Sequence, residues 1–180
     1  MVLYFITGNK NKFLEAKKEM EPVLIEQKEI DLAEIQSLDS REVIEHKLKE
    51  AQKHFKGEFI VEDVSFELEC LNGFPGPLIK WFLKSNGRKG IYELCKAKNE
   101  YGVKAKATIG YTDGKKIEFF EGVVEGKIVE PKEDSFNIWD LKPNGLDKTL
   151  TEMTPEEKNK ISHRGIAVRK FKEWYNSKKN

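Results

Sequence analysis

Cysteine is scarce in this chain. Only Cys70 and Cys95 occur among its 180 residues. They lack C-x-x-C spacing, so they suggest neither a zinc site nor a disulfide framework, and both are expected as small core residues. An excess of one charge is also missing. Thirty-two Lys and Arg stand against 31 Asp and Glu, a formal net charge of +1. A dedicated nucleic-acid binder would show a basic excess, so any anion bound here must meet a local basic site and nucleic acid is not an expected partner. Long apolar runs are absent as well. None approaches the ~20 residues of a membrane span, and no signal-peptide stretch precedes the first strand, so the expected compartment is a reducing cytoplasm with no membrane partner. Without a linker, repeat or low-complexity segment, residues 1–180 are expected to form one domain, long enough to bury a core unaided by disulfides or structural metal.

What is present alternates between strand and helix patterns. Val2 to Ile6 is a nearly continuous apolar run, as in a strand covered on both faces. Phe13, Ala16 and Met20 recur at helical spacing. Val23 to Gln27 and Ile30 to Leu32 read as a second strand and its exit. Asp39 and Glu42 have the spacing of a capping box for a helix reaching about Phe55, whose apolar positions Ile44, Leu48, Ala51 and Phe55 share one face. Phe59 to Val61 reads as a short strand ending at Glu62-Asp63, with Phe66 to Cys70 as an extension of the sheet. After the turn-rich Asn72 to Pro77, Leu78 to Leu83 and a segment following Gly90 read as two helices. Val103 to Tyr111 alternates like a half-buried strand, and Asp113-Gly114 signals a hairpin into Ile117 to Phe120. Val123 to Val129 reads as a further strand interrupted by Gly126. Thr154-Pro155-Glu156-Glu157 combines an N-cap, a proline at the first helical position and a glutamate at N3. Ala167, Phe171 and Trp174 mark a last helix. The pattern predicts an α/β protein with a mixed sheet.

Thr7-Gly8-Asn9-Lys10-Asn11-Lys12 joins the first strand to the first helix. A helix start presents unpaired amides and the positive end of the helix dipole, both attractive to anions, and the lysines add charge. The run is neither a Walker-type phosphate loop nor a G-x-G-x-x-G turn. Asp63 and Glu62 stand near a strand end, where ligands favour open α/β sheets, but adjacent strand residues point to opposite faces. One of them, with Glu34, has the donor set for Mg²⁺, which takes one or two protein carboxylates with waters and phosphate oxygens. Ser162-His163-Arg164 supplies a titratable donor and a planar guanidinium fork, or simply a helix cap with two solvated residues. Lys80 is a lone cation in the apolar run Ile79-Lys80-Trp81-Phe82, in the manner of a snorkelling lysine. His46 and His54 have no partners at metal-ligand spacing.

Taken in order, T-G-N-x-x-K at Thr7 to Lys12, E-x-Q at Glu34 to Gln36, V-E-D at Val61 to Asp63, L-N-G-F-P-G-P at Leu71 to Pro77, I-K-W-F-L at Ile79 to Leu83, T-x-x-E-M at Thr149 to Met153, E-K-N at Glu157 to Asn159 and S-H-R at Ser162 to Arg164 form a set. This set resembles the inosine triphosphate pyrophosphatases, which hydrolyse non-standard purine nucleoside triphosphates. The resemblance spans almost the whole chain. It implies a two-lobed, mixed-sheet α/β fold with flanking helices and a central cleft, a homodimer, and Mg²⁺-dependent hydrolysis (Mn²⁺ as an alternative ion) to nucleoside monophosphate and pyrophosphate. By the same resemblance Thr7, Gly8, Asn9 and Lys12 would bind the triphosphate, with Lys47, Lys80 and Lys158 adding positive charge. Lys12 and Asp63 would be catalytic, Glu34 and Asp63 would hold the metal, and His163 and Arg164 would read a 6-keto purine. The family's F-G-[YW]-D-P-x-F segment is altered here to Ser135-Phe136-Asn137-Ile138-Trp139-Asp140, so Phe136, Trp139 and Asp140 are expected in its base-contacting roles. That departure leaves two alternatives: a nucleotide-binding module without turnover, or a related pyrophosphatase of different base specificity.

Overall fold

A computed structural model describes residues 2–132 and 140–179. Among the described residues seven strands form one mixed sheet: β1 (Leu3–Ile6), β2 (Ile25–Lys28), β3 (Phe59–Leu68), β4 (Pro75–Gly76), β5 (Gly102–Thr112), β6 (Ile117–Ile128) and β7 (Leu141–Pro143). Their order is β2-β1-β3-β5-β6-β7, with β4 also paired to β3. β1 runs parallel to β2 and β3, and the remaining pairs are antiparallel. Five helices surround the sheet: α1 (Lys10–Met20), α2 (Ser40–His54), α3 (Ile79–Lys98), α4 (Pro155–Ile161) and α5 (His163–Lys179).

The pleat of β3 decides which helix each of its residues meets. Ile60 packs with Ala16 and Met20 of α1 and with Phe171 and Tyr175 of α5. Phe59 and Val61 pack on the other face against Ile44, Leu48 and Ala51 of α2. A third apolar cluster joins Phe66 and Leu68 to Ile79, Leu83, Ile91 and Cys95 of α3.

Several elements run longer than their local sequence predicts. β3 is one strand of ten residues, so Glu62 and Asp63 lie mid-strand rather than at a strand end. On the edge away from β5, it pairs with β1 only at Phe59 and Ile60 and with β4 only at Phe66 and Glu67. Residues 61–65 therefore form an open notch in the sheet between two partner strands. β6 likewise runs unbroken through Gly122 and Gly126. β5 is buried along nearly its whole length rather than half-buried, because helices cover both faces. The two helices expected around Gly90 form α3, broken at Gly87 (φ 67°, ψ 171°). The exit of the second strand, Ile30 to Leu32, is irregular. The Asp39–Glu42 capping box does not form: Asp39 caps the Arg41 amide at 2.8 Å, while Glu42 accepts from Ser37 Oγ at 2.7 Å. The Thr154–Glu157 capping box is present with both of its hydrogen bonds. Among the described residues no helix is long and apolar enough to cross a membrane.

Candidate active site

The notch in β3 opens into a cleft of about 1170 Å³ bounded by the start of α1, the segment before α2, the first turns of α3 and the α4–α5 junction. Thr7, Gly8, Asn9, Lys12, Glu34, Lys47, Asp63, Lys80, Lys158, His163 and Arg164 all line it. Residues spread over 158 positions of sequence thus meet in one place.

Asn9 is the N-cap of α1. Its Oδ1 accepts from the Lys12 amide at 3.1 Å, and Thr7 Oγ1 accepts from the Asn9 amide at 3.1 Å. Gln27 Nε2 of β2 holds the Thr7 carbonyl at 2.8 Å. The turn is thereby fixed, and Thr7, Gly8 and Asn9 line the cleft at the start of α1. A Cβ on Gly8 would meet nothing within 4 Å, so its backbone is open to a ligand.

Asp63 and Glu62 take opposite faces of β3, as the pleat requires. Asp63 Oδ1 accepts from Lys47 Nζ of α2 at 2.9 Å, and the same ammonium lies 2.9 Å from Glu34 Oε1. Lys47 also reaches the Glu62 carbonyl at 3.4 Å, a backbone acceptor that the notch leaves without a strand partner. Asp63 Oδ2 is buried with no hydrogen-bond partner among the described residues. Burial raises the Asp63 pKa, and the Lys47 charge only partly offsets it. Burial works against the Lys47 charge too, but two carboxylates outweigh it and raise that pKa. For Glu34, which is less buried, the Lys47 hydrogen bond and charge prevail over desolvation and lower the pKa.

On the other face, Glu62 accepts from Arg164 Nε at 2.9 Å and from Nη2 at 3.1 Å, and Lys12 Nζ stands 3.5 Å away. Despite burial, Arg164 and Lys12 hold the Glu62 carboxyl down at about 2. Arg164 Nη1 bonds Glu15 at 2.5 Å, and Lys158 bonds the same glutamate at 2.9 Å. Burial lowers the Lys12 pKa, with Glu62 opposing it. Burial and the neighbouring guanidinium push the His163 imidazole down to about 3, so it is neutral at pH 7. Its Nδ1 is buried without a partner among the described residues. Ser162 caps α5 by accepting from the Gly165 amide at 3.1 Å, and His163 thus opens the helix facing the cleft.

Of the expected base contacts, one lies away from the cleft and another is in it but already paired. Asp140 is not part of the cleft wall among the described residues; its carboxylate forms a buried ion pair with Arg88 of α3 and accepts from Thr151 Oγ1 at 3.3 Å. Arg164 lines the cleft, but its guanidinium is engaged by Glu62 and Glu15. Phe136 and Trp139 lie outside the described residues. No sequence motif singles out Glu15, although it stands three residues after Lys12 and so on the same helix face. The same is true of Lys84, one turn beyond Lys80; the Lys84 and Lys80 ammoniums lie over the exposed Trp81 ring, at 5.8 and 5.5 Å from its centroid.

The Ham1 family model matches residues 3–174. This chain belongs to the Ham1 family. It is 38% identical to the inosine triphosphate pyrophosphatase of Schizosaccharomyces pombe over 183 aligned residues, covering 99% of this chain and 97% of that protein. It is also 38% identical to the dITP/XTP pyrophosphatase of Thermococcus kodakarensis, with 97% of each chain covered. Among solved structures, a HAM1 protein from Coxiella burnetii shares the fold at a TM-score of 0.79 and 18% identity, covering 98% of this chain and 99% of that one. The mixed-sheet fold is therefore shared with distant Ham1 proteins.

Proposed function

We propose that this chain hydrolyses non-standard purine nucleoside triphosphates (ITP, XTP and dITP) to nucleoside monophosphate and pyrophosphate, removing them from the nucleotide pool. The observation that carries the reading is Asp63: a buried carboxylate with one oxygen held by Lys47 and the other unpartnered, in a cleft that also presents Lys12 and the start of α1. The names of the two relatives, an inosine triphosphate pyrophosphatase and a dITP/XTP pyrophosphatase, support the same reaction.

In this reading the α1 amides and Lys12 bind the triphosphate, and Lys80 and Lys158 add charge that does not have to reorganise as the P–O bond breaks. Lys47 fixes Asp63 Oδ1, leaving Oδ2 to accept a proton from the attacking water. A raised pKa brings that carboxylate closer to a useful base. Neutral His163 has one ring N–H to offer a keto oxygen. A 6-amino group would present a donor to that donor and leave it unpaired, which selects against adenine.

The residues also fit a divalent cation. Glu34 and Asp63 converge on one ammonium at 2.9 Å each, both are hard oxygen donors, and Asp63 Oδ2 is unpartnered. Two protein carboxylates are a donor set that suits Mg²⁺, which keeps waters and substrate phosphates in the rest of its shell. Mg²⁺, or Mn²⁺, held by Glu34 and Asp63 would screen phosphate charge and orient the triphosphate. A homodimer in the cytoplasm belongs to the same proposal and rests on the family resemblance; light scattering would test it, a mass near twice 20.9 kDa being expected.

Incubation with ITP and Mg²⁺ should release pyrophosphate as the first product. Asp63→Asn should lower the rate by at least about 100-fold, the scale of a lost general base, with an unchanged circular dichroism spectrum. Orthophosphate as first product would overturn the cleavage position. Equal turnover of ATP would overturn base selection, and binding without hydrolysis would mark a nucleotide-binding module.

A further inference from the structure

The only two cysteines of the chain, 25 residues apart, meet with their sulfurs 3.7 Å from each other. Cys70 lies in a 3-10 turn (Glu69–Leu71) directly after β3, and Cys95 lies in the last turns of α3. Cys95 is fully buried in the apolar cluster beneath α3, whereas Cys70 is half-buried at the edge of that cluster. Cys70 thus keeps some exposure to solvent, while Cys95 keeps none. Nothing in the proposed hydrolysis uses either thiol, and neither lines the cleft.

We propose that Cys70 and Cys95 form a redox-modification site that hydroperoxides convert to an intramolecular disulfide. The Cys70 thiolate attacks a peroxide oxygen, the O–O bond breaks, and the released hydroxide takes up the proton that Cys70 gave up. The resulting Cys70 sulfenic acid is then attacked by the Cys95 sulfur. The S–S bond forms, the S–O bond breaks, and the departing hydroxide takes the Cys95 proton. In sum, two thiols and one hydrogen peroxide give one disulfide and two waters.

The geometry requires the sulfurs to close from 3.7 Å to the ~2.05 Å of a disulfide. Cys70 stands in a three-residue turn, and α3 is already interrupted at Gly87 between its cleft-lining start and Cys95, so its distal half can shift without moving Lys80 or Lys84. Burial and the neighbouring sulfur push the Cys95 thiol up, which disfavours it as the attacking thiolate. The ring closed by the bond contains the turn 72–78 and the first turns of α3, including the cleft residues Lys80 and Trp81. The bond therefore closes a covalent ring behind one wall of the cleft without occupying the cleft.

The test treats the intact protein with hydrogen peroxide and quantifies thiols with iodoacetamide and peptide mass spectrometry. Wild type should lose both labelled thiols, yield a Cys70–Cys95 cross-linked peptide 2 Da lighter than its two halves, and recover both thiols in dithiothreitol. Its melting temperature should rise by roughly 5–10 °C on oxidation, the scale for a loop of this length in a chain of this size. Cys95→Ala should instead accumulate one or more added oxygens at Cys70, and Cys70→Ser should leave Cys95 reduced. Added oxygen at Cys70 of wild type without the cross-link, a disulfide between two chains, or two persistent thiols would overturn the proposal. None of these readouts depends on turnover, so its failure is distinguishable from failure of the proposed hydrolysis.

Discussion

At the scale of single residues, two adjacent acids on β3 have separate tasks because the strand pleat sends them to different faces. Asp63 has an oxygen to spare. Glu62 has none: its side chain is 1% exposed and both oxygens are committed to Arg164. Replacing Glu62 with Gln leaves a buried guanidinium short of its main counter-charge, a change that costs about 3–5 kcal/mol for buried pairs. Glu15 remains as a second anchor, so the expected loss is near the lower end, read as a lower urea midpoint with an unchanged slope. Asp63→Asn should move that midpoint far less, because Lys47 keeps Glu34. Asp63 was legible through V-E-D and its neighbours in the motif set. The task of Glu62 was not, because its partner Arg164 is 102 residues away and nothing in the local sequence refers to it.

At the scale of elements, local punctuation proved a good guide to turns and a poor one to strand length. Asp113-Gly114 is the hairpin it reads as, with Gly114 at φ 90°. Gly126 reads as an interruption, yet β6 continues through it. The reason is close approach, since a Cβ there would lie 2.3 Å from the Lys142 carbonyl oxygen of β7. Gly122 is the same case with a functional consequence. A Cβ at that position would lie 2.0 Å from the His163 carbonyl oxygen and 2.5 Å from the Ala167 amide, both backbone atoms of α5. Gly122→Ala must therefore push back the start of α5. It should cost about 1–3 kcal/mol, the range for overpacking, and lower the ITP-to-ATP rate ratio as His163 is displaced. Thermal melts and paired substrate assays read the two effects separately. Sequence could not reveal this requirement, because a glycine kept for another element's backbone looks the same as one kept for its own.

At the scale of the whole molecule, the cleft brings together acids and bases that a solvated chain would keep apart, and this couples stability to pH. His163 has its pKa lowered to about 3, below its ordinary value near 6.5. Between those values the unfolded chain binds the proton and the folded one does not, so stability is full above about pH 6.5 and falls as pH drops toward 3. Glu62, lowered to about 2, acts in the same direction: its contribution is present above about 4.5 and lost as pH falls through 2. Urea midpoints should therefore decline from pH 7 to pH 4, and His163→Gln should flatten that decline. An equal slope in the variant would show that other groups carry it.

The sequence by itself determined the elements' amphipathic faces, the polar turn between β1 and α1, the Thr154 capping box and, through ordered motifs, the family. These are local matters, decided by periodicity, capping chemistry and residue type. Only the tertiary structure decided that β3 runs through its acids, that the gap between β1 and β4 opens there, and that Arg164 clamps Glu62 while Asp140 serves Arg88. Those outcomes depend on which distant charges burial forces together. A buried ion pair is chosen by the partner the fold delivers, and the chain between the partners does not encode it locally.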